Sequence, residues 1–320
     1  MYICILLWYN KINYGGYMKR KFGDRYDGIR LRNVDTFFLL IPYIMKKRDD
    51  SQIFFEEVAD ATLLDKFVRE HQEEIPGLKV YHVIIAAMVR LFALRPRVNR
   101  FVCGNKIYAR RQIAVSMAIK RTLTDDGEET NIKPIFDPKA TLADVVALVN
   151  KEVDFNKQAG AENDTDKFAK LIGHLPPFIL RTVVNFIMWL DNMGIMPKSI
   201  IDFSPFHCSA YLTNLGSLGI KPVYHHIFNF GTTSIFVSMG KKEYQYHASD
   251  EGELIKKRII GLKMVVDERI CDGYYYAYSM RLFAKIINNP AVLLEPPEEV
   301  VVDDGIFPPK KEKLKKSAKK

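Results

Sequence analysis

The residues best suited to chemistry gather near the C-terminal end of the chain. The stretch DERICDGYYYA, Asp267 to Ala277, carries Asp267, Glu268 and Asp272 and then Tyr274, Tyr275 and Tyr276. Asp272-Gly273 is a turn signal that leads into a helix. A general base must accept a proton near the working pH. A free Glu titrates at about 4.3, so bringing Glu268 to about 7 takes roughly 2.7 units, or about 3.7 kcal/mol of desolvation or like-charge cost. The plainer reading of Glu268 is a solvated side chain, or one paired with Arg269. His225-His226, in VYHHIFNFG, is the other titratable candidate. One of these rings can serve as base with Glu268 as the orienting carboxylate. The plainer reading is a loop pair that makes backbone hydrogen bonds. His207 and His247 read as strand residues and His82 as a core histidine, without a chemical role. Cys4, Cys103, Cys208 and Cys271 form no CxxC and no zinc-ligand spacing with histidine. They read as buried free thiols in a reducing compartment, and no metal site is expected.

The elements that must position these residues follow from period and punctuation. QIFFEEVADAT (52–62) reads as a strand, after which Asp60 and Thr62 cap the helix LLDKFVREHQ. VYHVIIAAMVRLFALRP is a helix apolar nearly all round, hence deeply buried, and Pro96 ends it. FVCGNKIYARRQIAVSMAIKR supplies two strands with a turn near Gly104-Asn105. ATLADVVALVNKEVDFN is an amphipathic helix with Thr141 at its start. FSPFHCSAYLTNLGSLG holds a strand and then a turn at Asn214, Gly216 and Gly219. TSIFVSMG and KKEYQYHAS suggest a hairpin around Gly240-Lys241. ELIKKRIIGLKMVVDER is a long strand, and YYYAYSMRLFAKIINNP is a helix that ends before Pro290. Mixed helices and strands without regular alternation indicate layered α/β or α+β structure.

The chain has 320 residues and a net charge of +9. Residues 310–320 carry +6 and residues 1–33 carry +5, which leaves the body, 34–309, at −2. A nucleic-acid groove would put its charge on the folded body, so nucleic acid is not an expected partner. The apolar run Ile3 to Tyr9 is too short for a membrane span of about 20 residues. Residues 175–197 are interrupted by Arg181 and Asp191 and read as a buried or partner-facing helix, so no membrane span is expected. The expected organisation is an N-terminal tail (1–33, with an alternative start at Met18), one catalytic domain (34–300) and a Lys-rich disordered tail (301–320). That last tail reads as a solubilising end or a tether.

Taken in order, FFEEVADAT, YHVIIAAMVRLFALRPRVNRF, IAVSMAIK, YLTNLGSLG, IFNFGTTSIFVSMG and DERICDG resemble one family. The sequence is similar to the catalytic domain of the chloramphenicol acetyltransferase family and of the acyltransferase subunits of 2-oxo acid dehydrogenase complexes. The similarity runs from about residue 37 to 290. Each segment alone is a weak signal, and their order and spacing carry the resemblance. No lipoyl or peripheral-subunit-binding segment is read ahead of the core, so the chain looks more like a free-standing acetyltransferase.

The resemblance implies an α/β (α+β) fold, a two-layer sandwich of a mixed, largely antiparallel sheet backed by helices. It implies a cytoplasmic homotrimer with active sites between subunits and coenzyme A or acyl-CoA as co-substrate. In the family a histidine in H-x-x-x-D-G is the general base, and a Ser or Thr hydroxyl stabilises the oxyanion. The motif's aspartate holds the loop through an ion pair. Residue by residue, Asp272 and Gly273 match the D-G, and Thr213 falls on the oxyanion hydroxyl, a role its single O–H permits. Asn214, Gly216 and Tyr274 fall beside the expected substrate. The position of the base holds Glu268. An anionic base repels the developing oxyanion where an imidazolium would attract it, so the family's step is expected to weaken by several orders of magnitude. Two readings follow: a CoA-dependent acyltransferase with a non-standard base, or an inactive trimer that binds a ligand or acts as a scaffold.

Overall fold

The computed structural model describes residues 19–121, 124, 126–158, 163–248 and 252–307. The expectations for residues 1–17 and for the Lys-rich run 310–320 lie outside the described residues, as does Cys4. In chain order the first elements are β1 (Gly28–Arg30), α1 (Thr36–Ile44), β2 (Gln52–Asp60), α2 (Ala61–His71) and α3 (Val80–Leu94). Then come β3 (Arg100–Cys103), β4 (Lys106–Arg110), β5 (Ile113–Lys120), β6 (Glu129–Ile132), β7 (Ile135–Phe136) and α4 (Leu142–Lys157). The rest are α5 (Asp164–Gly173), α6 (Pro177–Met193), α7 (Lys198–Phe203), β8 (Ala210–Asn214), β9 (Ile235–Ala248), β10 (Leu254–Asp267) and α8 (Gly273–Asn288).

The main sheet has the order β2-β10-β9-β8-β5-β6, with β7 also on β5. β5–β8 and β8–β9 are parallel, and the other pairs are antiparallel. This is the mixed, largely antiparallel sheet that the resemblance implies. Strand alternation sends Ile260, Leu262, Met264 and Val266 of β10, with Ile235, Val237 and Met239 of β9, into one core shared with the helices. α3 lies at its centre with all but two of its residues buried. Each buried Ile, Val, Leu or Phe there contributes about 1.5–3 kcal/mol. Asp60 caps α2 by accepting from Thr62 N and Leu63 N, and Thr141 forms a capping box with Asp144 at α4.

The opposite face of the sheet carries Tyr211 and Thr213 of β8, Phe236 and Ser238 of β9, and Lys263 and Val265 of β10. It is crossed by residues 220–231, here called the strap. Tyr211, Phe236 and Val265 cluster with Ile227 of the strap. The expected hairpin at Gly240-Lys241 does not form, because β9 runs through both residues and the chain reverses only between Ala248 and Leu254. Gly240 serves close approach instead: a Cβ there would stand 2.2 Å from Pro222 Cδ and 2.6 Å from Pro222 N.

A small antiparallel sheet, β1-β4-β3, packs beside the main one. Its β3–β4 turn has φ of +54° at Gly104 and +58° at Asn105, the pair of left-handed residues a tight hairpin needs. Both expected tails are shorter than the sequence suggests. Arg25, Asp27, Ile29 and Leu31 are buried, and β1 pairs with β4, so residues 24–31 belong to the folded body. At the other end Val301 N donates to Ala93 O, Asp303 takes two 2.6 Å bonds from Arg100, and Ile306 is in the core. His207 lies in the loop between α7 and β8 rather than in a strand.

Candidate active site

β10 ends at Asp267, and the loop that follows is organised around that buried carboxylate. Asp267 Oδ1 accepts from Arg269 N (3.1 Å) and Arg269 Nε (2.8 Å), and Oδ2 accepts from Arg269 Nη2 (2.8 Å). The Asp267 carbonyl accepts from the buried Tyr276 hydroxyl at 2.7 Å. Arg48 Nε lies 3.5 Å from Asp267 Oδ2. The same guanidinium donates to Phe228 O (2.7 Å), Gly231 O and Val102 O (3.0 Å each), while Arg48 N donates to Asn229 Oδ1. Arg48 thereby ties the end of the strap to the loop after β10. Nothing in the sequence marked it.

Glu268 opens a single 3-10 turn, Glu268–Ile270, with its side chain exposed. Among the described residues it makes no hydrogen bond or ion pair, and Arg269 pairs with Asp267 rather than with it. Asp272 also departs from expectation. Among the described residues it forms no ion pair; it caps α8 by accepting from Tyr275 N at 2.8 Å, and Gly273 is the first helical residue. The loop's ion pair has moved to Asp267 because Arg48 and Arg269 both approach that side. Tyr275 packs under Arg95, whose guanidinium carbon is 3.7 Å from the ring centre, and Tyr276 is buried. Tyr274 is exposed beside Tyr278. Burial pushes the Cys271 thiol up, and the Cys103 thiol up to about 12, in keeping with inert buried thiols.

Thr213 is half-buried on β8 opposite Ser238. The turn after it is fixed locally: Asn214 Oδ1 accepts from Ser217 N (3.3 Å), and Ser217 Oγ donates to Asn214 O (2.7 Å). Gly216 lies so close to β9 that a Cβ would meet Gly240 O at 2.6 Å. Ser238 Oγ accepts from Val223 N of the strap at 3.0 Å. Farther along the strap, His225 stacks on Phe236 with ring centres 4.0 Å apart and 9° between planes. Its Nδ1 lies 2.9 Å from His226 O. A carbonyl only accepts, so Nδ1 carries a proton and, in the neutral ring, Nε2 holds the lone pair. His226 is exposed and stacks on His225 at 4.7 Å.

Within one chain these groups do not converge. Thr213 pairs with Ser238 and Ser238 with Lys263, and Glu268 lies five residues beyond Lys263. At about 3.3 Å per residue that is roughly 16 Å along the strands, plus two strand spacings of about 4.8 Å. Phe236, under His225, pairs with Val265, three residues short of Glu268, or roughly 10 Å. Among the described residues the one hydrogen bond within this set is His225 Nδ1 to His226 O, and none joins Glu268 or Thr213 to another of the four. Two cavities among the described residues hold about 20 and 10 Å³, room for one water each and far below the roughly 300–1,000 Å³ of small-molecule sites. Among the described residues no group of three or more His, Cys, Asp and Glu could hold a metal ion.

A second polar cluster escaped the sequence reading. His207 Nδ1 lies 2.8 Å from Ser204 Oγ and its Nε2 3.2 Å from Asp191 Oδ1, and Arg25 Nη2 donates to the same oxygen at 2.6 Å. Arg25 also pairs with Asp27 at 2.8 Å. Burial alone would raise the Asp191 carboxyl; the His207 hydrogen bond and the charges of His207 and Arg25 outweigh it and hold the group well below the usual range. Ser204, His207 and Asp191 are all buried, so this serine–histidine–aspartate set joins β1, α6 and the loop before β8 rather than facing a substrate.

Residues 207–295 match the family model for the catalytic domain of 2-oxoacid dehydrogenase acyltransferases. No curated protein matches the sequence. Among solved structures the chain is similar to a truncated catalytic core of the 2-oxoacid dehydrogenase multienzyme complex from Thermoplasma acidophilum. That match has a TM-score of 0.50 at 12% identity and covers 81% of this chain and 97% of that one. Dihydrolipoamide acetyltransferase from Azotobacter vinelandii follows at 0.48 and 14%, covering 80% and 90%, and a chloramphenicol acetyltransferase at 0.45 and 10%, covering 77% and 92%. The Thermoplasma match, at that identity, shows a shared fold. The resemblance read in the sequence thus holds, in the family model over residues 207–295 and in the fold over most of the chain.

Proposed function

We propose that the chain is a CoA-thioester-dependent acyltransferase that works by general-base catalysis, as a cytoplasmic homotrimer with its sites between subunits. The observation that carries this reading is the family match over residues 207–295, which spans Thr213, the strap and the loop from Asp267 to Gly273. In this reading Thr213 Oγ1 donates to the oxyanion that forms on the thioester carbonyl. Asn214 and Gly216 hold the turn that aims it, and Asp272 and Gly273 set the start of α8, from which Tyr274 meets the substrate. Glu268 takes the proton from the attacking thiol, hydroxyl or amine; the acyl carbon–sulfur bond then breaks, and the CoA sulfur leaves with that proton. Because Thr213 and Glu268 are far apart in one chain, the two roles fall to neighbouring subunits. The neighbour also supplies the burial a carboxylate base needs. His225, with its Nε2 lone pair, and His226 lie on the Thr213 side of the sheet as alternative bases oriented by Glu268.

The test is CoA release from acetyl-CoA and longer acyl-CoA with amine, hydroxyl and thiol acceptors. Glu268→Gln and Thr213→Ala are expected to lower turnover by about 10²–10⁴-fold, and His226→Ala decides between the direct and relayed base. Activity that appears only in Glu268→His sinks the altered-base reading. It leaves a second reading, a trimeric ligand-binding or scaffold protein that has lost the reaction. That reading is favoured by one observation: among the described residues nothing orients the Glu268 carboxylate. It is distinguished by acyl-CoA binding without turnover in calorimetry.

A further inference from the structure

Helix α6 is apolar on two sides, and the fold covers one of them. Val183, Ile187 and Leu190 turn inward and pack with Met196, Ile201 and Phe230. That side is pinned by the buried Asp191, which meets Arg25 at 2.6 Å and His207 at 3.2 Å, so the helix cannot roll to hide its other side. The outer side carries Phe178 (71% exposed), Phe186 (56%), Trp189 (52%) and Met193 (55%) in one stripe at helical spacing. Phe186 stacks on Trp189 with ring centres 5.9 Å apart. Aromatic and Met side chains at these exposures leave on the order of several hundred Å² of apolar surface, which soluble chains keep open mainly where something binds.

Charge selects the occupant. Residues 163–203 contain four carboxylates, and each is held by a cation of this chain. Asp164 pairs with Lys167 (3.5 Å), Asp166 with Arg121 (3.0 Å), Asp191 with Arg25 (2.6 Å), and Asp202 with Lys198. The exposed charge on α6 itself is Arg181, and Lys170 and His174 stand exposed just before the helix. An aromatic stripe beside Arg181, with Lys170 exposed before the helix and the four acids of residues 163–203 paired among the described residues, matches a helix lying in the plane of an anionic bilayer. No described helix is long and apolar enough to cross a membrane, so the contact is peripheral. The chain's basic charge, carried by its two ends, adds longer-range attraction to the same surface. We propose that α6 docks the chain onto a bilayer containing anionic lipid, with the stripe from Phe178 to Met193 entering the headgroup boundary.

The full chain is floated with phosphatidylcholine vesicles prepared with and without phosphatidylglycerol. A Trp8→Phe background leaves Trp189 as the sole tryptophan. The protein is expected to rise with the anionic vesicles, with Trp189 emission shifted to the blue and quenched by brominated acyl chains. Phe186→Glu combined with Trp189→Glu is expected to cut flotation by about tenfold or more. Arg181→Glu should weaken it severalfold, with a salt dependence. These side chains are exposed, and an unchanged far-ultraviolet circular dichroism spectrum verifies that each variant is folded. Absence of flotation with anionic vesicles, equal flotation with neutral ones, or flotation that the double variant leaves unchanged overturns the proposal. So does light scattering in which the double variant dissociates an oligomer that vesicles do not capture, because the occupant is then a second copy of the chain.

Discussion

One guanidinium reaches segments far apart in sequence. Arg48 is ion-paired with Asp267 and donates to the carbonyls of Phe228 and Gly231 in the strap and of Val102 in β3. Removing one partner of a buried pair costs about 3–5 kcal/mol, so Arg48→Met is expected to lower the unfolding free energy from urea denaturation by that amount. Arg48→Lys should rescue little of it, because an ammonium cannot span a carboxylate and three carbonyls at once. His82 gives a pH signature. Its Nδ1 accepts from Lys79 N, and burial pushes the ring down to about 4. The unfolded ring titrates near 6.5, so between these values the unfolded state binds more protons and stability falls as pH drops. The loss is about 3 kcal/mol, complete near pH 4. Urea unfolding across that window should show a shallower slope for His82→Asn than for wild type. At this scale the sequence was readable where a role is local, as for the caps Asp60 and Thr141. It was opaque where burial depends on distant segments, as for Arg48, Arg25 and Asp191.

Among the elements, the strap decides what the sheet face beside Thr213 presents. It fits because β9 and β10 carry Gly240 and Gly261, and a Cβ at either would approach Pro222 to under 3 Å. Gly240→Ala is expected to cost about 1–3 kcal/mol by overpacking against backbone. It should also speed amide exchange at Val223, whose N–H bonds to Ser238 Oγ. Faster exchange there, with α3 unchanged, distinguishes strap release from general loosening. Most helices and strands were legible from period and caps, since buried α3 and amphipathic α4 follow from their apolar patterns. Gly240 misled: it read as a turn because close approach by a segment some twenty residues away leaves no local mark.

At the scale of the whole molecule, the proposed reaction calls for an assembly. The β9–β10 ribbon extends past the end of β2 and exposes Tyr244, Tyr246, Leu254 and Ile255. Sedimentation is expected to give a trimer. Leu254→Asp, on this ribbon, should shift it towards monomer by placing a charge in an apolar contact. Turnover should fall with the trimer fraction if the site is shared. The layered fold and the family resemblance were legible from the order of several weak motifs. The catalytic geometry was not, because within one chain Thr213 and Glu268 lie far apart on the sheet.

The sheet order also sets a timetable. Among the described residues β2 finds its partner only in β10, with Gln52 opposite Asp267, so the first long strand waits for nearly the last. Such distant pairing makes folding slow, since loop-closure entropy is lost before the contact forms. During synthesis at about 5–20 residues per second, the unpaired edge of β2, with Phe54 and Phe55, stays open for roughly ten seconds or more until β10 emerges. Chains that terminate before β10 should therefore aggregate rather than fold partially, and pulse-labelled exchange on refolding protein should find β2 protected no earlier than β10.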